Sequence, residues 1–317
     1  MKISKATNAF LSDISTNRSP STVTIHRNNL AVFMRWLGDK DVTEVNRETL
    51  NEFIVYLREK HIPFRFATTK RKGPLSGSAI HNYWKTMRVF FAFCSDVLRL
   101  VDHPEANLKY PKYQLPEVQA FKSEEIKKIL HHAEYGVDTN GRVRKLPSGV
   151  RNKAIVMVLF DTGLRLGELC RLTVTDFNQE TGDLLVAPHG SGQKTKPRTV
   201  FVGRETRRAI WAWFAKRSDY SPEDSLFNLS PKHIRHIIWE IGRRAGVPNC
   251  HPHKFRHTFG IEFLRGGGDS FTLQKILGHS TLDMTSHYVH VLEADIRRSQ
   301  AQTSIMDRIN KGKLTKD

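Results

Sequence analysis

Between residues 250 and 259 the chain reads CHPHKFRHTF, which sets one cysteine, three histidines, a lysine and an arginine in ten positions. His253 and His257 are four apart, so a helix through this stretch puts both imidazoles on one face. Zinc sites share that spacing, and Cys250 or His251 can supply a further ligand. The intervening residues argue the other way. The metalloprotease form of the spacing carries a glutamate after its first histidine, and Lys254 stands in that place. Lys254 and Arg256 would add positive charge to a position already holding a dication. An anion accepts every one of these groups. The Arg256 guanidinium offers a planar fork to phosphate oxygens, and His253 can share its face one turn earlier. An oxyanion is therefore the expected ligand, and no metal or other cofactor is expected. Surface histidines of no consequence are the alternative that this stretch alone leaves open.

Two further stretches carry candidates. In DTGLRLGEL, Arg165 follows a glycine where a helix begins, and Glu168 lies three residues on, able to share its face, while Leu166, Leu169 and Leu172 would bury another. In ILGHSTLDMTSHYVHV, Gly278 and His279 are followed nine residues after the histidine by Tyr288. Taken singly, a surface arginine and a half-buried tyrosine are the ordinary readings of such residues.

The elements that must hold these groups show in the apolar periodicity. Leu30, Phe33, Met34 and Leu37 repeat at helical spacing with Gly38 to stop the helix, and Leu50, Phe53, Ile54 and Leu57 do so after Asn46 as N-cap. Ile80, Tyr83, Trp84, Met87, Phe91 and Cys94 form a third stripe. RFATTKRKGPLSGS, between the second and third helices, is a polar, basic loop. DHPEANLKYPKYQLPEVQ, with three prolines, is an extended linker. KSEEIKKILHHA then opens a helix with Ser123 as cap. Further on, RNKAIVMVLFDTG and LRLGELCRLTVTDF have helical patterns. GDLLVAP and PRTVFVG read as strands joined by the basic tip HGSGQKTK. Helices return in ETRRAIWAWFAKR, in SPKHIRHIIWEIGRRAG behind Ser230 and Pro231, and in HKFRHTFGIEFLRGGG. The expected architecture is mainly α with a small β-sheet, in two domains. Residues 1–104 form a helical domain, 105–118 a linker, and 119–317 an α+β domain.

Composition supports that division. A chain of 317 residues exceeds one ordinary core, and 39% hydrophobic residues suffice for packed interiors. No run of about 18 apolar residues exists, so no membrane span is expected. The opening MKISKATNAFLSDIS lacks the apolar core of a signal peptide. Three widely spaced cysteines, odd in number, suit a reducing cytoplasm. The formal net charge is +18; residues 1–118 carry 18 basic against 11 acidic side chains, and residues 119–317 carry 32 against 21. Both halves are basic, which points to a polyanion that both grip, DNA or RNA, rather than to a neutral enzyme with a basic tail. A protein that merely happens to be cationic is the bland alternative.

Set in order along the chain, these motifs resemble those of the tyrosine recombinases, also called the phage integrase family, and the length is closest to the Xer-like members. The resemblance covers the second half throughout. The helical first half is similar in type and position to the family's DNA-binding, core-binding domain. The family's first arginine falls on Arg165 in TGLRLGEL and its accompanying acid on Glu168. The His-x-x-Arg motif falls on His253 and Arg256, the Leu-Gly-His histidine on His279, and the nucleophilic tyrosine on Tyr288. The family carries its catalytic lysine on a β-hairpin, commonly within Gly-Lys-Gly-x-Lys-x-Arg. Here Ser191 takes the place of the first lysine, so Lys194 and Lys196 are the candidates. Lys196 with Arg198 matches the later Lys-x-Arg pair, which leaves Lys194 for catalysis.

The resemblance implies a two-domain clamp on double-stranded DNA that cuts and rejoins strands. Tyr288 would attack a phosphodiester, giving a 3′-phosphotyrosyl link and a free 5′-hydroxyl, and a partner's 5′-hydroxyl would resolve it through a Holliday junction. Arg165 and Arg256 would clamp the non-bridging oxygens, and His279 would donate a further hydrogen bond. His253 would assist at the tyrosine or the phosphate, Lys194 would protonate the leaving oxygen, and Glu168 would orient the basic groups. The expected partners are paired half-sites and further copies of the chain in a cyclic homotetramer, with LEADIRRSQAQTSIMDRI as a C-terminal exchange helix. A tail packed on its own domain is the alternative. No additional amino-terminal arm-binding domain is expected, so a simple two-site recombinase is preferred. Two rivals remain: a non-catalytic DNA-binding relative, and a type IB topoisomerase that relaxes supercoils without exchanging strands.

Overall fold

Ile3, Ala6, Phe10, Leu11 and Ile14 fall at helical spacing, and in the computed structural model they are the buried face of α1 (Ile3–Ser15). The structure describes residues 1–62, 74–113, 119–188, 197–217, 219–279, 281 and 288. The chain divides into two units, Met1–Pro116 and Glu117–Asp317.

In the first unit, α1 is joined by α2 (Pro20–Leu37), α3 (Arg47–Glu59) and α4 (Gly77–Asp96). Their starts are set by side chains: Ser19, Asn46 and Ser76 each accept a backbone N–H from the third residue on. Gly38, at φ 85°, ends α2 as the sequence suggests. The four helices enclose Phe10, Phe33, Phe53, Phe90 and Phe91, all essentially unexposed. Each contributes about 1.5–3 kcal/mol by leaving water. Phe33 and Phe53 meet edge to face at 4.9 Å between ring centres. The proline-rich stretch is not free of this bundle. Leu108 is buried in its core, and the Tyr110 ring lies 4.4 Å from that of His81.

The second unit is built around α6 (Gly149–Thr162). Ala154, Ile155, Val156, Val158 and Leu159 are all fully buried, so the middle of this helix is enclosed on most of its circumference and sits at the centre. Around it pack α5 (Ser123–Glu134), α8 (Arg204–Phe214) and α10 (Pro252–Arg265), and α9 (Pro231–Ala245) packs on α5. Between α5 and α6 lies a two-stranded hairpin, β1 (Tyr135–Val137) and β2 (Val143–Lys145), too short and too exposed to announce itself in the sequence. The expected strand pair forms as β3 (Asp183–Val186) and β4 (Arg198–Phe201), antiparallel, with Leu184 opposite Val200 and Val186 opposite Arg198. Leu184, Val186 and Val200 face the core, while Leu185 and Phe201 face out.

Three local expectations change. The helix expected over LRLGELCRLTVTDF is only α7 (Leu166–Arg171). The Asp176 carboxylate takes both the N–H and the hydroxyl of Thr173 at 2.8 Å, and β-branched Thr173, Val174 and Thr175 favour the turn over another helical round. The cap of α5 is Lys122 rather than Ser123, because the Glu125 carboxylate accepts the Lys122 N–H at 2.8 Å. A further helix, α11 (Ser270–Leu277), follows the Asp269 cap.

Candidate active site

Thr162 ends α6, and Gly163 turns the chain at φ 60°. A side chain there would press into Phe259 and Leu277, so glycine is required both for conformation and for space. The reversal delivers Arg165 as the residue before α7. Its N–H donates to the Glu168 carboxylate at 2.8 Å, and its guanidinium donates to the same carboxylate at 3.0 Å. Glu168 is almost wholly buried and accepts two more bonds, at 3.2 and 2.8 Å, from Arg198 at the start of β4.

Helix α11 supplies the opposite wall. Its last carbonyls have no partner within the helix and sit at the negative end of its dipole. Arginines fill them in sequence. Arg198 Nε donates to Ile276 O at 2.5 Å, Arg256 Nη2 to Leu277 O at 2.7 Å, and Arg165 Nη2 to Gly278 O at 3.4 Å. Arg256 is buried on the first turns of α10, and its other terminal nitrogen donates to Gly163 O at 2.8 Å. Gly278 adopts φ 64°, and a Cβ on it would stand 3.0 Å from Arg198 Nη1. Two guanidinium groups, of Arg165 and Arg198, thus share the Glu168 carboxylate, and with Arg256 held by carbonyls alongside, the arrangement has positive charge to spare for an anion.

Tyr288 is 3% exposed and packs with Ile261, Leu273 and Leu277. Its ring lies over Gly260, where an added Cβ would be 3.2 Å from three ring atoms. Its hydroxyl is 3.1 Å from His257 Nδ1. Its ring is within 10° of parallel to that of His279, with centres 6.2 Å apart.

The electrostatics follow from burial among cations. Burial pulls the His279 imidazole down to about 4, with Arg256, Arg165 and Arg198 adding to the effect, so it is neutral at pH 7. Burial raises the Tyr288 phenol, and Arg256 and Arg165 partly oppose that. Burial and Arg165 bring Arg256 down to about 10, still a cation at neutral pH. Burial would raise the Glu168 carboxyl, but the hydrogen bonds and charge of Arg198 and Arg165 outweigh it and hold the group at about 2.

Of the residues singled out in the sequence, Arg165, Glu168, Arg256, His279 and Tyr288 therefore meet at one place. His253 is exposed on the first turn of α10, its imidazole lowered by burial of its inner edge and by His251, Arg256, Arg165 and Arg235. Lys194 and Lys196 lie outside the described residues, as does the tail after Tyr288. Of the remaining zinc candidates, His251 caps α10 by accepting the Lys254 N–H at 3.3 Å, and Cys250 is buried against Gly242. Among the described residues no group of three His, Cys, Asp or Glu side chains is placed to hold a metal ion. Two contributors went unassigned in the sequence. Arg198 shares the inward side of a strand with Val200, and a charged residue at an inward position is itself a signal. His257 drew notice only for its distance from His253.

The model of the phage integrase family matches residues 119–295, and that of the phage integrase SAM-like domain matches residues 3–93. The chain belongs to the phage integrase family. It is 27% identical over 299 residues to the tyrosine recombinase XerA of Thermococcus kodakarensis, covering 92% of each chain. It is 26% identical over 295 residues to the tyrosine recombinase XerC of Oceanobacillus iheyensis, covering 90% of each. In fold it is similar to the integrase of transposon Tn1549 solved in complex with a circular intermediate DNA. That match has a TM-score of 0.69 and 17% identity, over 94% of this chain and 99% of that one.

Proposed function

We propose that this protein is an Xer-type site-specific DNA recombinase that breaks and rejoins strands through a 3′-phosphotyrosyl intermediate and a Holliday junction. The observation that carries the reading is the burial of the Tyr288 phenol beside Arg165 and Arg256, in a site with an excess of cations. Attack by Tyr288 on phosphorus builds charge on the non-bridging oxygens. The two arginines are held rigidly enough to receive that charge without reorganising, and loss of one such donor typically costs about 10²–10³ in rate. His279, neutral at pH 7, donates a further hydrogen bond. Glu168 orients Arg165, and His253, at the open side, contacts the phosphate. Lys194 acts as general acid on the departing 5′ oxygen. The partner is double-stranded DNA with paired half-sites, gripped by a helical core-binding domain, on which Leu108 and Tyr110 of the proline-rich stretch also pack, and a catalytic domain (119–317). Four copies act together, with the segment after Tyr288 exchanged between them. The tyrosine recombinase relatives and the DNA-bound Tn1549 integrase support this reading.

The test is a nicked duplex from which the 5′ fragment diffuses away after cleavage. A denaturing gel should then show a protein–DNA adduct that Tyr288→Phe abolishes. Adduct formation together with four-way junctions from two intact sites is expected. Supercoil relaxation without junctions would favour a topoisomerase, and DNA binding without any adduct a non-catalytic relative.

A further inference from the structure

In the described residues the hydroxyl of Tyr288 is met by His257, whose Nδ1 lies 3.1 Å away. His253, the histidine of the His-x-x-Arg motif, is exposed one turn earlier and makes no hydrogen bond to it among those residues. His257 is half-buried on α10, immediately after Arg256, and its ring centre is 5.7 Å from that of Tyr288. Gly260, one turn further along the same helix, lets the phenol ring lie flat against the backbone, so α10 seats both the ring and its hydroxyl. A phenol makes a poor nucleophile until its proton has somewhere to go, and the group for that task must be within hydrogen-bond reach of the oxygen.

We propose that His257 is the proton acceptor for the Tyr288 nucleophile. As the phenolic oxygen bonds to phosphorus and the bond from phosphorus to the 5′ oxygen breaks, the phenol proton moves to Nδ1 of His257. A second proton reaches the departing 5′ oxygen from Lys194, and in the rejoining step both return. The inference rests on the strand-transfer reading above. It requires His257 to carry its resting proton on Nε2, which leaves Nδ1 free to accept. Among the charged and titratable groups around this pair are Arg256 on the same helix and Arg165 ahead of α7, both acting on Tyr288, and His279 after α11, on which His257 acts.

Two measurements on the full chain test this and separate its failure from failure of the reading it rests on. The first needs no DNA. Imidazole NMR of histidine-labelled protein, assigned by the signal missing in His257→Ala, follows the titration of His257. A phenol donating to Nδ1 favours the neutral ring. Tyr288→Phe should therefore raise the His257 midpoint by about half a pH unit or more. An unchanged midpoint overturns the proposal. The second is single-turnover adduct formation on the nicked duplex. His257→Ala should slow it about 10²-fold with DNA affinity held within about twofold, and should remove the decline in rate on the acid side of the pH profile. His257→Asn, which restores a polar group but cannot take a proton, should remain slow. A substrate with sulfur in place of the 5′ bridging oxygen, which leaves without protonation, should not rescue either variant. Wild-type rate in His257→Ala, full recovery in His257→Asn, or rescue by sulfur each overturns the proposal. If the NMR coupling appears but wild type forms no adduct, it is the recombinase reading that falls.

Discussion

Glu168 shows how opposing effects decide one residue's state. Burial disfavours its charge, yet a guanidinium on each side and a backbone N–H keep it ionised down to about pH 2, against the usual 4.5. A depressed carboxyl contributes stability that is fully present above the unfolded value and is lost as the pH falls through the folded one. Stability from this group is therefore intact at neutral pH, declines below about pH 5, and is gone near pH 2. Glu168→Gln leaves Arg198 buried without a counter-charge and is expected to cost about 3 kcal/mol at pH 7. Urea midpoints measured from pH 7 to pH 3 should converge for the two proteins as the acid is protonated; parallel curves would refute this account. The same residue marks how far the sequence can be read. Its distance from Arg165 was enough to foresee their shared bond. Its second partner, Arg198, is thirty positions away on another element, and no local spacing records that. Tyr288 and His257, thirty-one apart, were hidden from each other for the same reason.

The C-terminal end of α11 is the element on which the arginines converge. Its successive carbonyls at Ile276, Leu277 and Gly278 take Arg198, Arg256 and Arg165, so a shift of this one helix end moves all three cations. Gly278→Ala should strain the φ 64° cap by about 1–2 kcal/mol and push Arg198 off its carbonyl. Gly246 offers the matched control: it caps α9 at the same φ, with nothing within 4 Å of an added Cβ. Both alanine variants should lower the urea midpoint. Only Gly278→Ala should also slow adduct formation, and equal cleavage rates in the two would show that the helix end does not place the arginines. Most helices were readable because periodicity and caps agreed, as at Asn46 and Ser230. α1 carries the same pattern through Ile3, Phe10 and Ile14 and could have been found by the same test. The end of α7 could not, since it depends on how Asp176 meets Thr173 after the chain has turned.

At the scale of the whole molecule, charge is the property the sequence states most directly. Both halves carry an excess of cations, +18 in all, and a duplex offers a phosphate for each that reaches it. The first turns of α9 border the candidate site: Arg235 lies close enough to help lower the His253 imidazole, and Lys232 and His233 are exposed beside it. Each lysine or arginine that meets a phosphate releases condensed counterions, so the logarithm of affinity falls with the logarithm of salt by about 0.9 per contact. If both units engage a duplex with 6–10 contacts between them, affinity should drop about 10³–10⁵-fold between 50 and 200 mM salt. Replacing Lys232 and Arg235 together by glutamine should reduce that slope by about 2, weakening binding evenly across DNA sequences rather than at one base. Fluorescence anisotropy over a salt series measures both quantities. A slope that the double variant leaves unchanged would remove α9 from the interface. A flat salt dependence of the parent would mean that the cations of both units serve something other than a phosphate backbone, and the reading of this chain as a DNA strand-transfer protein would lose its largest source of binding energy.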